Sequence, residues 1–140
     1  MELPGIIEGG KHSDDRGNLF FNRNFDASEI KRIYFIENKD IHFVRGWTGH
    51  KIEQRWFTAS HGSFIIKLVT LEDFEKSKKE PQIFEFELNS KKLDIIHIPK
   101  GYATAIQSKE TDSKLLVMAD YRLGEINDDY RYPLDYFENL

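Results

Sequence analysis

Apolar and polar positions along this chain change over with a short period. Aromatic and β-branched residues gather in runs of strand length at 19–21, 30–37, 55–59, 63–71, 82–88, 94–98, 103–107 and 114–121, and each run is bounded by residues that favour turns. The turn signals are Asp15-Arg16-Gly17, Glu37-Asn38-Lys39-Asp40, Ser60-His61-Gly62, Asn89-Ser90-Lys91 and Pro99-Lys100-Gly101, rich in the residues that start turns or accept unusual backbone angles. A turn about every ten residues predicts a β-sandwich or barrel rather than alternating α and β units. Within 82–88, Ile83, Phe84, Phe86 and Leu88 mostly alternate with Gln82, Glu85 and Glu87, the pattern of a half-exposed strand. Stretches 63–71 and 114–118 read as continuous apolar runs and predict strands buried on both faces. Short helices are expected only at 71–79, between strands, and at 133–138 in the tail. Gly17, Gly46, Gly62 and Gly101 lie between apolar runs, where a tight turn or a positive φ would connect antiparallel strands.

Length and charge narrow the picture. A chain of 140 residues suits one domain spanning the whole sequence and can bury a real core. The net charge of -4, from 20 basic and 24 acidic residues spread along the chain, supplies no basic stripe for a nucleic-acid backbone. With no cysteine, disulfides, thiolate metal sites and cysteine nucleophiles are excluded, and a reducing, cytoplasmic setting is expected. The start, MELPGIIEGGKHSDD, lacks the basic and apolar regions of a secretory leader, and no run reaches the roughly 18 apolar residues of a bilayer span. No membrane role is expected. The charge run at 75–80 reads as a solvated loop.

Three segments carry more specific information. The first is Asp14-Asp15-Arg16-Gly17-Asn18-Leu19; the second runs from Ile30 as IKRIYFIENKDIHFVRGWTGHK; the third is Ile98-Pro99-Lys100-Gly101-Tyr102-Ala103, followed by Leu115-Leu116-Val117 and Asp120-Tyr121. In order and spacing, from about residue 14 to residue 121, this set resembles the cupin enzymes of activated-sugar metabolism, the dTDP-sugar 3,4-ketoisomerases and the dTDP-4-dehydrorhamnose 3,5-epimerases. The resemblance implies a single all-β cupin domain, a double-stranded β-helix or jelly-roll barrel. It also implies a homodimer with an N-terminal strand exchanged, so that Arg16 of one subunit reaches the other's pocket.

Laid on the metal-binding cupin pattern, the resemblance puts Thr48 at the first histidine, His50 at the second, Arg55 or Gln54 at the acid and Thr104 at the third histidine. Threonine hydroxyls are poor ligands for a first-row divalent ion and a guanidinium repels it, so no bound metal is expected. The 3,5-epimerase pattern fares no better. Its base position is Thr48, which is no base near neutral pH without an activating group, and its tyrosine acid falls on Leu116.

His50 is the remaining acid/base candidate, since an imidazole with a pKa near 6.5 can carry a proton between neighbouring carbons. Tyr121 is a possible second acid. Arg16, Arg45, Lys51, Arg55 and Lys67 are candidates to hold a diphosphate or a carbonyl, arginine being suited by its planar fork. Trp47, directly after Arg45-Gly46, is the best candidate for stacking on a ring. The acidic tail 124–133 lacks the spacing of a calcium loop and is expected to pack across the barrel. The expected activity is 3,4-ketoisomerisation, or a related epimerisation, of a nucleotide-linked 4-keto-6-deoxy sugar without a redox cofactor. The alternatives are a non-catalytic nucleotide-sugar- or carbohydrate-binding cupin with an accessory role in polysaccharide synthesis and a homodimeric scaffold with a vestigial pocket.

Overall fold

A computed structural model of the chain describes residues 2–71 and 82–137. Twelve strands form in chain order: β1 (Gly5–Ile7), β2 (Gly10–Asp14), β3 (Gly17–Phe21), β4 (Arg32–Ile36), β5 (Val44–His50), β6 (Arg55–His61), β7 (Ser63–Thr70), β8 (Ile83–Asn89), β9 (Ile95–Ile98), β10 (Tyr102–Ser108), β11 (Lys114–Ala119) and β12 (Tyr130–Arg131). They build one five-stranded sheet ordered β1-β9-β6-β11-β4, a second ordered β12-β5-β10-β7-β8, and a separate β2-β3 hairpin. All recorded pairings are antiparallel. This is the all-β sandwich that the spacing of turns predicts.

Alternation along the strands fills the space between the sheets. Phe57 and Ala59 of β6, Phe64, Ile66 and Leu68 of β7, Ile96 and Ile98 of β9, and Leu115 and Val117 of β11 meet there with Tyr102, Ile106 and Leu88. Every second residue of a strand faces the same side, so one apolar set per strand suffices. The outer faces carry smaller clusters. Trp56, Ile95 and Met118 pack with Ile7, Phe25, Ile30 and Leu116 on one sheet. Trp47, Val69, Leu71, Ala103, Ala105 and Phe137 pack together on the other.

The continuous run 63–71 is only partly two-sided, because Lys67 is exposed and Ile65 half-buried, whereas Val69 is buried beneath the tail. Positive φ angles occur at Gly17 (124°), Gly62 (74°) and Gly101 (92°), at the turns. Gly46 differs from the expectation, since it lies inside β5 rather than in a turn. A Cβ there would meet the Leu134 side chain at 3.2 Å, so packing of the tail is what uses this glycine. Beyond Leu71, the expected helix 71–79 and the charge run lie outside the described residues. The tail 134–137 forms a turn, closed by Tyr136 N–H donating to the Pro133 carbonyl at 2.9 Å, where a helix was expected. Tyr132, Tyr136 and Phe137 cluster here, and their packing on the sheet decides the shape of the segment.

β5, β1, β2 and β12 carry no strong apolar run. β5 reads Val-Arg-Gly-Trp-Thr-Gly-His and becomes a strand because β10 pairs with it from one side and β12 from the other. Tertiary pairing here overrides weak local preference.

Candidate active site

A cavity of about 900 Å³ opens between the sheets on the side of β4 and β5, and the tail segment 122–134 forms part of its rim. Period-two alternation brings Arg32, Tyr34 and Ile36 of β4, Arg55 and Phe57 of β6, and Thr48 and His50 of β5 to its wall. Arg45, three residues from Thr48, would face the other way in a regular strand. The register with β10 shifts between Thr104↔Thr48 and Ile106↔Arg45, so three steps on β5 match two on β10, and this bulge lets both residues line the cavity.

His50 is 8% exposed. Its Nδ1 lies 2.8 Å from the backbone carbonyl of Asp128, and only a protonated ring nitrogen can donate to a carbonyl. In the neutral ring, therefore, Nδ1 carries the proton and Nε2 the lone pair. Burial, reinforced by the nearby Arg55 charge, holds the His50 pKa below its ordinary 6.5. At neutral pH the group is a neutral base.

Asp128 reaches that position through its own carboxylate, which accepts the backbone N–H groups of Lys51 (2.9 Å), Ile52 (2.9 Å) and Glu53 (2.8 Å). One residue of the tail thus caps the turn after β5 and orients the imidazole that ends it. The neighbouring Glu53, 5% exposed, gathers cations around its carboxylate. Arg55 donates to Oε2 from Nε at 2.9 Å and from Nη2, and its Nη1–H donates to the Tyr34 hydroxyl at 2.5 Å. Arg32 Nη2 lies 3.8 Å from Oε1, and His50 Nδ1 lies 3.6 Å from Oε2. A buried carboxylate is tolerated only with such partners.

Further out, Arg131 pairs with Asp129 at 3.0 Å, while Arg45 donates from Nε to Asn38 at 3.2 Å. Arg122 also lines the rim. Neither Arg45 nor Arg122 has an ion pair among the described residues. Five arginines therefore stand around one cavity, against the carboxylates of Glu37, Glu53, Asp128 and Asp129.

Of the residues singled out from sequence, Arg45, Trp47, Thr48, His50, Arg55 and Thr104 line this cavity. Thr48 and Thr104 are direct cross-strand partners. The indole of Trp47 is only 6% exposed and sits in the outer cluster beneath the tail, edge-on to Phe137 at 4.9 Å, with Nε1–H donating to the Leu134 carbonyl at 3.1 Å. Its faces are used by protein, which corrects the expectation of a stacking platform.

Lys67 projects outward toward Glu85 at 3.8 Å, because its inward neighbours on β7 are Ile66 and Leu68. Gln54 is bound to Asp120 through its backbone and side chain and to His97 at 2.7 Å, away from the cavity lining. Lys51 sits over the Tyr130 ring at 4.7 Å, and Tyr121 lies beneath the Lys31 ammonium at 5.8 Å; neither lines the cavity. Arg16 stands at the tip of the β2-β3 hairpin, its side chain 85% exposed and paired with Asp14 at 2.8 Å. Missed from sequence were Arg32, Glu53 and Asp128. Arg32 and Tyr34 share one face of a strand, a readable signal, whereas nothing local marks Asp128. Among the described residues no three His, Cys, Asp or Glu side chains converge as a metal-binding group.

Two antiparallel sheets enclose a polar cavity with one oriented imidazole in its wall, an all-β arrangement that matches cupin-like structural neighbours of the RmlC type. The chain belongs to the WxcM-like, C-terminal family (FdtA), whose pattern matches residues 2–140. No curated protein matches it. Among solved structures, it is similar to the 3,4-ketoisomerase QdtA from Thermoanaerobacterium thermosaccharolyticum, in a mutant form with TDP-4-keto-6-deoxyglucose. The two are 21% identical over 97% of this chain and 92% of that one, with a TM-score of 0.72. The WlaRB TDP-quinovose 3,4-ketoisomerase from Campylobacter jejuni is 23% identical over 100% of both chains, with a TM-score of 0.68. An RmlC epimerase from Mycobacterium tuberculosis is 14% identical over 94% of this chain and 70% of that one, with a TM-score of 0.75. At these identities the likeness to solved structures concerns the fold.

Proposed function

We propose that this protein is a nucleotide-sugar 3,4-ketoisomerase acting on a dTDP-linked 4-keto-6-deoxyhexose, with His50 as its proton carrier. The observation that carries this reading is the bond from His50 Nδ1 to the Asp128 carbonyl, which leaves Nε2 as a buried, neutral base in the wall of an arginine-rich cavity. In the reaction His50 takes the proton from C3, beside the C4 ketone. The electron pair forms the C3–C4 double bond, and the C4 oxygen takes up the charge and then a proton from solvent, giving an enediol. His50 then returns its proton to C4, while the C3 hydroxyl gives its own to solvent and becomes the new ketone. Electrons balance within the sugar, and no redox cofactor takes part.

The diphosphate is assigned to Arg45 and Arg122 at the rim, as guanidinium groups pair bidentately with phosphate oxygens. Arg55 serves the interior through Glu53 and Tyr34. Two copies pair in this reading, with Ile33 and Phe35, 63% and 57% exposed on β4, supplying apolar surface, and with Arg16 on its hairpin acting in the pocket of the second copy. A rival reading, a binding module without turnover, draws on the Thr48↔Thr104 pair, which offers no second imidazole.

Calorimetric titration with dTDP, UDP and GDP tests the ligand, and nuclear magnetic resonance of dTDP-4-keto-6-deoxyglucose tests turnover. Binding of dTDP that is lost in Arg45→Ala, with conversion by the wild type and none by His50→Asn, supports the isomerase. Binding without conversion establishes the binding module, and binding of none of the three nucleotides sinks both readings.

A further inference from the structure

We infer that Arg32 is the group that receives the developing oxyanion of the sugar, and that Glu53 is the positioning residue that holds it opposite His50. The inference rests on the isomerase reading and adds a catalytic residue to it. Arg32 opens β4 on its inward face and lines the cavity, with its side chain 21% exposed. Its Nε–H is buried and has no hydrogen-bond acceptor among the described residues. A buried donor without a partner is costly and uncommon in folded proteins, and turning the guanidinium toward an acceptor in the cavity would relieve that cost.

The other arginine of the interior is not placed to do this. Arg55 already spends Nε and Nη2 on Glu53 and Nη1 on Tyr34. Arg32, in contrast, keeps only a loose approach to Glu53, with Nη2 3.8 Å from Oε1, so its fork can turn to a ligand with little loss. The remaining partner of its guanidinium is the Tyr34 ring, 5.4 Å away, which orients the plane without using an N–H.

Position relative to the base completes the argument. His50 lies against Oε2 of the Glu53 carboxylate and Arg32 against Oε1. One rigid anion, fixed by Arg55, therefore sets the base and the unused cation on its two oxygens. Removing a proton beside a ketone places negative charge on the adjacent oxygen, so an enolising site needs a base and a donor side by side. The ligand group that fits is a carbonyl oxygen becoming an enolate; a phosphate, by comparison, is met at the rim by Arg45 and Arg122.

The test separates the two oxygens that Arg32 could serve. In Arg32→Gln, exchange of the C3 proton of dTDP-4-keto-6-deoxyglucose with deuterated solvent should fall about 10²–10³-fold, the usual loss for one oxyanion donor, while affinity for dTDP stays within twofold. Arg32→Lys, which restores charge without the fork, should recover part of the exchange. Correlation spectra of arginine Nε–H groups, with the Arg32 signal identified by its loss in Arg32→Lys, give a readout independent of turnover. That signal should move on addition of the 4-keto sugar nucleotide and stay in place with dTDP alone.

Equal movement with dTDP, or a parallel drop in dTDP affinity, makes Arg32 a phosphate contact and overturns the inference while leaving the isomerase intact. Unchanged exchange in Arg32→Gln overturns it as well. Wild-type protein that binds dTDP but neither exchanges the C3 proton nor moves the Arg32 signal overturns both this inference and the isomerase. Movement of the signal by the 4-keto sugar without exchange retains Arg32 as the carbonyl contact of a binding module.

Discussion

The interior of the sandwich has two ends built from the same pleat, and they are stabilised in opposite ways. At the end near β7 and β8 the inward residues are Phe64, Ile66, Leu68 and Leu88, each at most 1% exposed. At the end near β4 and β5 they are Arg32, Tyr34, Thr48, His50 and Arg55, around an open volume of about 900 Å³. The first end is held by buried area and close packing, both nondirectional. The second is held by directed bonds, since each charge brought inside must meet a partner. Asp128 meets three backbone N–H groups and Glu53 meets cations. The same strand periodicity thus yields a dry core or a polar cavity, according to which residue types occupy the inward positions.

The sharpest way to break this comparison is at the imidazole. His50→Gln should lower sugar conversion about 10³-fold, within the range for loss of a general base, while dTDP affinity stays within twofold, measured by resonance and calorimetry. A comparable loss of binding would make His50 a ligand contact instead.

Next in size is the dry end. Leu68→Ala should cost about 3 kcal/mol in urea unfolding, as for other fully buried leucines, with nucleotide affinity of the folded protein unchanged. Asp128→Ala should cost about 2–3 kcal/mol, because it strips the acceptor from three N–H groups at roughly 1 kcal/mol each. Unlike Leu68→Ala, it should also depress conversion, since the carbonyl that orients His50 shifts with the tail.

The titrating groups give a smaller effect with a defined sign. Burial lowers the pKa of His50, reinforced by Arg55, and burial lowers that of His97. Unfolded histidines near 6.5 then bind protons that the folded forms do not, so stability is fully present above that pH and is lost as pH falls below it through the folded pKa values. Urea midpoints should drop between pH 7.5 and pH 5, about these pH values, and His50→Gln should flatten part of the slope. The smallest effect is expected at Lys67→Ala, within about 0.5 kcal/mol, because its pairing with Glu85 is exposed. A larger change in nucleotide affinity there would return Lys67 to the site.

Most strands were legible because their residues carry the pattern themselves. Ile83 to Leu88 alternates, and the turns at Asp15-Arg16-Gly17 and Ser60-His61-Gly62 carry the glycines that positive φ requires. β5 was legible as a motif yet not as a strand, for it reads Val-Arg-Gly-Trp-Thr-Gly-His, with two glycines and no alternating apolar set. The cavity was legible in part. His50, Thr48 and Arg55 were reached through the resemblance to the cupin pattern, and Arg45 lines the cavity only because of the bulge against β10. Trp47 went astray because its environment is made by Leu134 and Phe137, distant in sequence. Lys67 went astray because the pleat turns it outward.

By itself, then, the sequence determined the β architecture and the family to which the chain belongs, since periodicity, turn chemistry and ordered motifs are properties of neighbouring residues. Only the tertiary structure decided the state of the imidazole and its surroundings. The Asp128 carbonyl lies 78 residues from His50, the Oε1 approach of Arg32 runs from β4 to the turn between β5 and β6, and the Nη1 bond of Arg55 runs from β6 to β4. Hydrogen bonds that fix a tautomer depend on ångström-scale contact between distant segments, and local pattern carries no record of such contacts.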